Sequence, residues 1–206
     1  MGTALSQMTT EQIQELLSSN NFRTVPDARI NHILKDHKLL KPAAVLMPLF
    51  RHNSEWHLLF TRRADNLNDH KGQVAFPGGA WEERDPDLKF TALREAEEEI
   101  GVNPNDVTLL GSLPPRDLVS GYIVTPYVGQ IPWPYSLRVF TAEVARVFSI
   151  PLEWLLDEEN RFLKCHHFLG QDFQVLYFRS YDGETLWGAS ASMTLELVDS
   201  LRPLIL

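Results

Sequence analysis

The alternation of apolar and polar residues predicts a strand-rich centre in this chain. An unbroken apolar run over residues 43–50 predicts a buried strand, and residues 56–61 predict its hairpin partner, joined through residues 52–54. Residues 88–100 have the period of an amphipathic helix, which Gly101 would end as a left-handed cap. Further strands are predicted at 72–76, 107–113, 124–131, 144–149, 161–169, 173–180 and 185–187.

Helices are predicted on either side of this centre. Residues 9–19 carry an apolar stripe, and Thr9 and Gln12 are spaced as a capping box. Other helices are predicted at 27–36, 151–156 and 189–202. Because no repeat or linker interrupts the chain, we predict one mixed α/β domain over 41–206, with a helical extension over 1–40. Three roles stay open for the extension: covering the site, mediating dimerisation or packing on the sheet.

Composition narrows the classes of function. The 206 residues are 44% hydrophobic and 22% charged, as is typical of a soluble globular protein. The formal charge of −8 disfavours a nucleic-acid partner, because phosphate contacts need clustered cations. The single cysteine, Cys165, forms no internal disulfide and indicates a reducing compartment, the cytoplasm. No apolar stretch approaches the roughly 20 residues that span a bilayer, so no membrane partner is expected.

The predicted helix at 88–100 places three acidic side chains on one side. At about 100° per residue, Glu98 and Glu99 lie about 60° and about 40° to either side of Glu95. Such close carboxylates repel one another, and a hard divalent cation bound by their oxygens would compensate the repulsion. A metal site and a solvated acidic surface are both consistent with this helix alone.

Residues Phe76–Gly79 (FPGG) predict a tight turn between a strand and the loop before this helix. Glycines at such a turn let the backbone approach a ligand or a metal ion. Gly78 is therefore a candidate substrate contact. Taken alone, the segment also fits an ordinary surface turn.

The acidic helix and the FPGG segment together resemble the Nudix box, in which a glycine-containing loop precedes Arg-Glu-aliphatic-x-Glu-Glu-x-Gly-aliphatic. Residues Arg94–Val102 match this pattern, with Ala96 at the aliphatic position. The loop departs from the pattern, because Asp85 stands where the box has glutamate and one extra residue precedes Arg94. This departure affects the role of Asp85 and leaves the helix pattern intact.

Upstream residues match the pattern of one subfamily, the coenzyme A pyrophosphatases. LFTRRA at Leu59–Ala64, Gly72 and the FPGG segment keep its fixed positions and spacing, except that Asn68 replaces an arginine. The resemblance covers roughly residues 43–190 and implies the Nudix fold, a mixed sheet between helices. It also implies metal-dependent hydrolysis of the pyrophosphate of coenzyme A or its derivatives, giving 3′,5′-ADP and 4′-phosphopantetheine.

The resemblance implies metal-binding roles for four residues of the motif. Glu95 and Glu99 would be direct ligands of Mg²⁺ or Mn²⁺, both of which suit oxygen donors. Glu98 would be a further ligand or would act on the attacking water. The carbonyl of Gly79 would complete the metal shell.

Two further roles lie beside the metal. Arg94 would pair with an acid, with Asp85 as the first candidate, and would thereby fix the loop. The general base would be Glu98 or, as a second choice, Glu143 in the proline-rich connection 132–143. A solvated loop glutamate is the alternative interpretation of Glu143.

A local cationic cluster is the candidate substrate site in this acidic protein. Arg62, Arg63 and His70 would meet the phosphates of a small nucleotide such as coenzyme A, and Arg63 occupies a fixed arginine of the subfamily pattern. A solvated strand edge guarded by cations is the alternative. The resemblance also allows a homodimer.

Three hypotheses about function follow. The first is a coenzyme A pyrophosphatase. The second is a Nudix hydrolase of another nucleoside diphosphate derivative, such as ADP-ribose or NADH, which the replacement at Asn68 favours. The third is a Nudix-like module that binds a nucleotide without hydrolysing it. The presence of Glu95, Glu98 and Glu99 counts against the third, because such modules usually lose these carboxylates.

Overall fold

The computed structural model describes residues 2–19, 40–65, 72–168 and 170–205. Its α-helices are α1 Gly2–Gln7, α2 Thr10–Ser19, α3 Leu88–Ile100, α4 Leu152–Leu156 and α5 Gly188–Leu201. Its strands are β1 Lys41–His52, β2 Glu55–Arg63, β3 Val74–Ala75, β4 Gly78–Ala80, β5 Thr108–Ser112, β6 Arg116–Leu118, β7 Tyr122–Gln130, β8 Val144–Pro151, β9 Arg161–Phe168 and β10 Gln171–Phe178. The helix predicted at 27–36 lies outside the described residues.

Strand β1 is the centre of an eight-stranded mixed sheet. It pairs with β7 in parallel along most of its length, and with β4 and then β2 antiparallel on its other edge. Strands β5 and β6 extend the sheet beyond β7, while β3 and β8 pair with β2. Strands β9 and β10 form a separate two-stranded sheet. The predicted mixed α/β class is therefore confirmed.

Both faces of the central strand are covered, which explains its unbroken apolar run. Ala44 and Leu46 pack with Ala92 and Ala96 of α3 on one face. On the other face, Met47 belongs to a larger core that the terminal helices share. Successive side chains of a strand point to opposite faces, so a strand buried on both sides reads as continuously apolar.

The N-terminal helices pack on the sheet, on the face opposite α3. Ile13 and Leu17 of α2 are buried in the same core as the C-terminal helix α5. Close contact needs Gly111 of β5, because a Cβ there would lie 2.7 Å from the Cβ of Leu17. The predicted capping box is present: Gln12 N–H donates to the Thr9 hydroxyl, and Thr9 N–H donates to the Gln12 side chain. The domain boundary at residue 40 stays a prediction.

Some short elements differ from the sequence-based expectations. Gly78–Ala80, predicted as a turn, is a strand paired with β1, and the strand at Arg116–Leu118 was not predicted. Residues 185–187 form only a single bridge, between Trp187 and Tyr177, and not a strand. Such segments carry too few alternating side chains to give a pattern. No helix in the described ranges is long and apolar enough to cross a membrane.

Candidate active site

Helix α3 is fixed at both ends. The Asp87 side chain accepts a hydrogen bond of 2.7 Å from Phe90 N–H at its start. Gly101 ends it in the left-handed conformation (φ 72°), and its N–H donates to the carbonyls of Ala96 and Glu97. Ala92 and Ala96 pack one side of the helix on the sheet. The carboxylates on the neighbouring side of the helix are therefore held beside β4.

The three predicted carboxylates differ in burial. Glu99 is buried, with 5% of its surface exposed. The Glu95 side chain is 16% exposed and that of Glu98 is 50% exposed. Since a buried carboxylate needs a partner to offset lost hydration, Glu95 and Glu99 are the members of the set that most need a cation.

Strand β4 is shaped to receive these carboxylates. A Cβ added at Gly79 would lie 2.5 Å from Glu95 Oε1, so the carboxylate occupies the space that any other residue would fill. The N–H of Gly78 donates to the Glu99 carboxylate. The absence of a Cβ at Gly79 therefore leaves room for the Glu95 carboxylate.

The register of β4 on β1 decides which peptide groups face the helix. Leu46 N–H donates to Pro77 O and Trp81 N–H donates to Pro42 O, both at 2.9 Å. In the antiparallel alternation, the intervening Gly79 also turns its peptide groups toward β1, whereas Gly78 turns its own away from β1. This orientation differs from the one that the predicted metal-ligand role of the Gly79 carbonyl requires.

A buried ion pair holds the loop before α3. Arg94 Nε donates to Asp85 Oδ1 and Arg94 Nη2 donates to Asp85 Oδ2, each at 3.0 Å. Thr91 donates a further hydrogen bond of 2.9 Å to Asp85. The hydrogen bonds from Arg94 lower the pKa of Asp85 to about 2. The expected pair between Arg94 and Asp85 is thus formed. It forms although the segment between the two residues is one residue longer than in the pattern that the sequence resembles.

Arg94 also reaches the helix carboxylates. Its Nη1 lies 2.8 Å from Glu95 Oε1 and donates a hydrogen bond of 2.9 Å to Glu98 Oε2. Arg84 contacts the other oxygen of Glu98 at 3.2 Å. Glu98 is therefore the carboxylate with two cationic partners, while Glu99 lies deeper.

The connection before β8 carries Glu143 to the same site. Residues 138–143, which we call the strap, bind the end of α3: Arg138 N–H donates to Ile100 O and Phe140 N–H donates to Glu99 O. At its other end, the Glu143 carbonyl accepts a hydrogen bond of 2.8 Å from Ala64 N–H. The charge of Glu143 contributes to raising the pKa of both Glu95 and Glu99.

Burial disfavours the ionised form of the carboxyl groups at this site. It raises the pKa of Glu99 to about 8, and the charge of Glu95 adds to this rise. Burial also raises the pKa of Glu95. Within the described ranges, no three acidic, histidine or cysteine side chains already converge as a ready-made metal cluster, and Glu98 is held by arginines instead.

Strand alternation separates the two predicted arginines. Arg63 lies near Glu99, whose pKa its charge lowers, and its buried Nε has no hydrogen-bond partner among the residues that the structure describes. Arg62 instead pairs with Asp65 at 2.7 Å and approaches Glu184 at 3.6 Å. The structure thus brings Arg63, but not Arg62, to the carboxylates. His70 lies outside the described residues.

Comparison with known proteins identifies the family. The family model of the NUDIX domain matches residues 40–164. An uncharacterized Nudix hydrolase, NudL, of Photorhabdus laumondii is 40% identical over 165 residues, which cover 78% of this chain and 84% of the relative. The chain belongs to the Nudix hydrolase family. Another NudL, from Salmonella newport, is 38% identical over 179 residues, 82% of this chain and 92% of its own.

Solved structures with this fold are also Nudix proteins. A MutT/nudix family protein from Enterococcus faecalis aligns with a TM-score of 0.53 at 15% identity, covering 95% of this chain and 75% of its own. The Nudix hydrolase RenU from M. smegmatis aligns with a TM-score of 0.50 at 15% identity, covering 81% and 89%. At such identities the likeness supports the fold alone. The family match supports an enzyme, a pyrophosphohydrolase, over a non-catalytic module.

The two glycines of β4 give a matched pair of substitutions. Gly79→Ala places its Cβ against the movable end of Glu95, so we expect about a tenfold loss of Mn²⁺ affinity with little change in stability. Gly78→Ala places its Cβ 2.4 Å from the Ala44 carbonyl oxygen, so we expect about 2 kcal/mol of destabilisation. Calorimetric metal titration and urea unfolding measure these effects. A large loss of stability in Gly79→Ala, together with a loss of Mn²⁺ affinity in Gly78→Ala alone, would contradict these roles of the two glycines.

The ion pair at Asp85 predicts a pH-dependent contribution to stability. Because folding lowers the pKa of Asp85 from 3.8 to about 2, its ionised form stabilises the fold above about pH 4, and this is lost as the pH falls through about 2. Asp85→Asn should cost about 3 kcal/mol near neutral pH, because it removes the buried carboxylate that accepts from Arg94 Nε and Nη2. Urea unfolding should show the difference from the wild type shrinking toward about pH 2. A constant difference would contradict this role.

Proposed function

We propose that this Nudix hydrolase cleaves the pyrophosphate of coenzyme A or its acyl derivatives, giving 3′,5′-ADP and 4′-phosphopantetheine or its acyl form. The observation that carries the proposal is the position of Arg63. This residue stands at a fixed arginine of the subfamily pattern, and in the described part of the chain its buried Nε, near Glu99, has no hydrogen-bond partner. An unpaired buried donor of this kind suits an anionic ligand such as a phosphate.

Nudix hydrolases generally use divalent metal ions, and the donors here fit one. The nearby oxygens belong to Glu95 and Glu99, whose pKa values burial raises, so a bound cation would stabilise their ionised forms. We propose these two carboxylates, with the Gly78 carbonyl in place of that of Gly79, as the residues that hold Mg²⁺ or Mn²⁺. Glu98 would become a further ligand if its side chain rotated away from Arg94 and Arg84. When bound, the ion polarises phosphoryl oxygens and lowers the pKa of water.

The residues around the carboxylates would have separate roles in the hydrolysis. Arg63 would hold a phosphate oxygen of the substrate. Glu143 would accept a proton from the attacking water, because it faces Glu95 and Glu99 and its backbone is fixed at Ala64. Glu98 is the weaker candidate for this role, since its two oxygens contact Arg94 and Arg84. Arg94 would hold the loop before α3 and the helix carboxylates in fixed positions relative to each other.

A second candidate substrate class is another nucleoside diphosphate derivative, such as ADP-ribose or NADH. The observation that favours it is Asn68, which replaces an arginine of the subfamily pattern and removes one positive charge. Both classes share the same metal chemistry. A cytoplasmic location is proposed on the single cysteine, and a homodimer is proposed on the resemblance.

The first experiment compares substrates. We expect coenzyme A to be cleaved faster than dephospho-coenzyme A, ADP-ribose or NADH with Mg²⁺ or Mn²⁺, yielding 3′,5′-ADP on chromatography. Glu95→Gln should abolish turnover and keep the fold, because it removes a charged ligand. A clear preference for ADP-ribose or NADH would overturn the coenzyme A proposal while keeping the Nudix chemistry.

The neighbouring arginines provide a matched test of substrate contact. Arg63→Ala should raise the KM for coenzyme A by about tenfold, because it removes a charged hydrogen-bond donor from the phosphate. Arg62→Ala should leave the KM nearly unchanged, because Arg62 pairs with Asp65 and lies near Glu184. Steady-state kinetics of both variants measure the difference. Equal effects of the two substitutions would contradict the separation of their side chains.

A further inference from the structure

The strap crosses the C-terminal end of α3 at very short range. Its first residue, Arg138, donates from N–H to the carbonyl of Ile100 at 3.0 Å. A Cβ added at Gly101 would lie 2.7 Å from the Cβ of Arg138, 2.9 Å from its nitrogen and 3.1 Å from its oxygen. Since the last two are backbone atoms, no rotation of a side chain relieves this contact. Gly101, which caps the helix, is therefore also the residue against which the strap packs.

Hydrogen bonds fix both backbone groups of Glu143, the last residue of the strap. Its N–H donates to the Phe140 carbonyl at 3.0 Å, and its carbonyl accepts from Ala64 N–H at 2.8 Å. Phe140 is in turn tied to Glu99 through a hydrogen bond of 2.9 Å. A continuous chain of backbone contacts therefore runs from the end of α3 to Glu143. A shift at its start would be passed to the carboxylate at its end.

We propose that Gly101 is a positioning residue for Glu143. By lacking a Cβ, it lets the strap close on α3, and this closure sets Glu143 opposite Glu95 and Glu99. The inference rests on the proposed role of Glu143 as the group that accepts a proton from the attacking water. It assigns Gly101 a second task besides ending the helix.

The test compares two glycines that have similar backbone conformations. An added Cβ at Gly101 (φ +72°) would contact the strap, whereas one at Gly183 (φ +82°) would have no atom of the described residues within 4 Å. Both alanine variants carry backbone strain, but only Gly101→Ala displaces the strap. We expect Gly101→Ala to lower kcat by about tenfold, with KM and Mn²⁺ affinity changed less than about twofold. Gly183→Ala should leave kcat unchanged.

A double-mutant cycle shows whether the effect passes through Glu143. Glu143→Gln should lower kcat by about a hundredfold, and adding Gly101→Ala to it should cause little further loss. An equal further loss, or a fall in Mn²⁺ affinity that parallels the loss of kcat, would overturn the inference. The latter would mean that the helix carboxylates, and not the strap, had moved.

A measurement without turnover separates this inference from the proposed function. Amide hydrogen exchange at Ala64 reports the far end of the strap. We expect faster exchange there in Gly101→Ala than in Gly183→Ala, whatever the substrate is. If Glu143→Gln keeps wild-type kcat, the proposed role of Glu143 fails. If exchange at Ala64 is unchanged in Gly101→Ala, the positioning inference fails.

Discussion

The crowding of acidic side chains between α3 and β4 is the constraint on which the site depends. Glu99 is buried against Gly78, and Glu95 fills the space above Gly79. Buried like charges oppose folding unless cations or hydrogen bonds compensate them. The chain supplies part of this compensation through Arg94 and Arg63, and the remaining negative charge makes the site suited to a divalent cation.

Other features of the fold maintain this crowding. The pair between Arg94 and Asp85 holds the loop and extends one guanidinium to the helix carboxylates. Apolar packing of Ala92 and Ala96 on β1 keeps α3 close to β4. The strap closes the remaining side and adds Glu143. Packing, ion pairs and hydrogen bonds therefore hold together charges that would separate if they were free, and such preorganised charges are what catalysis of phosphoryl transfer requires.

Much of the fold followed from periodicity, and part of the site did not. Helix α3 has the predicted bounds, because its apolar stripe, Asp87 and Gly101 all favour the same limits. Strand β4 was missed, because glycines give no alternation of side chains. The contrast between Arg62 and Arg63 follows from strand alternation and was available from the sequence. The position of the strap depends on backbone hydrogen bonds between distant segments, which leave no local pattern.

We propose that Glu95 and Glu99, with the backbone at Gly78, form an oxygen-only metal centre. A crystal structure of the protein soaked with Mn²⁺, recorded at the manganese absorption edge, tests it most directly. The account predicts an anomalous peak between these two carboxylates and the Gly78 carbonyl. A well-occupied peak elsewhere, or none at a saturating concentration of Mn²⁺, would contradict it.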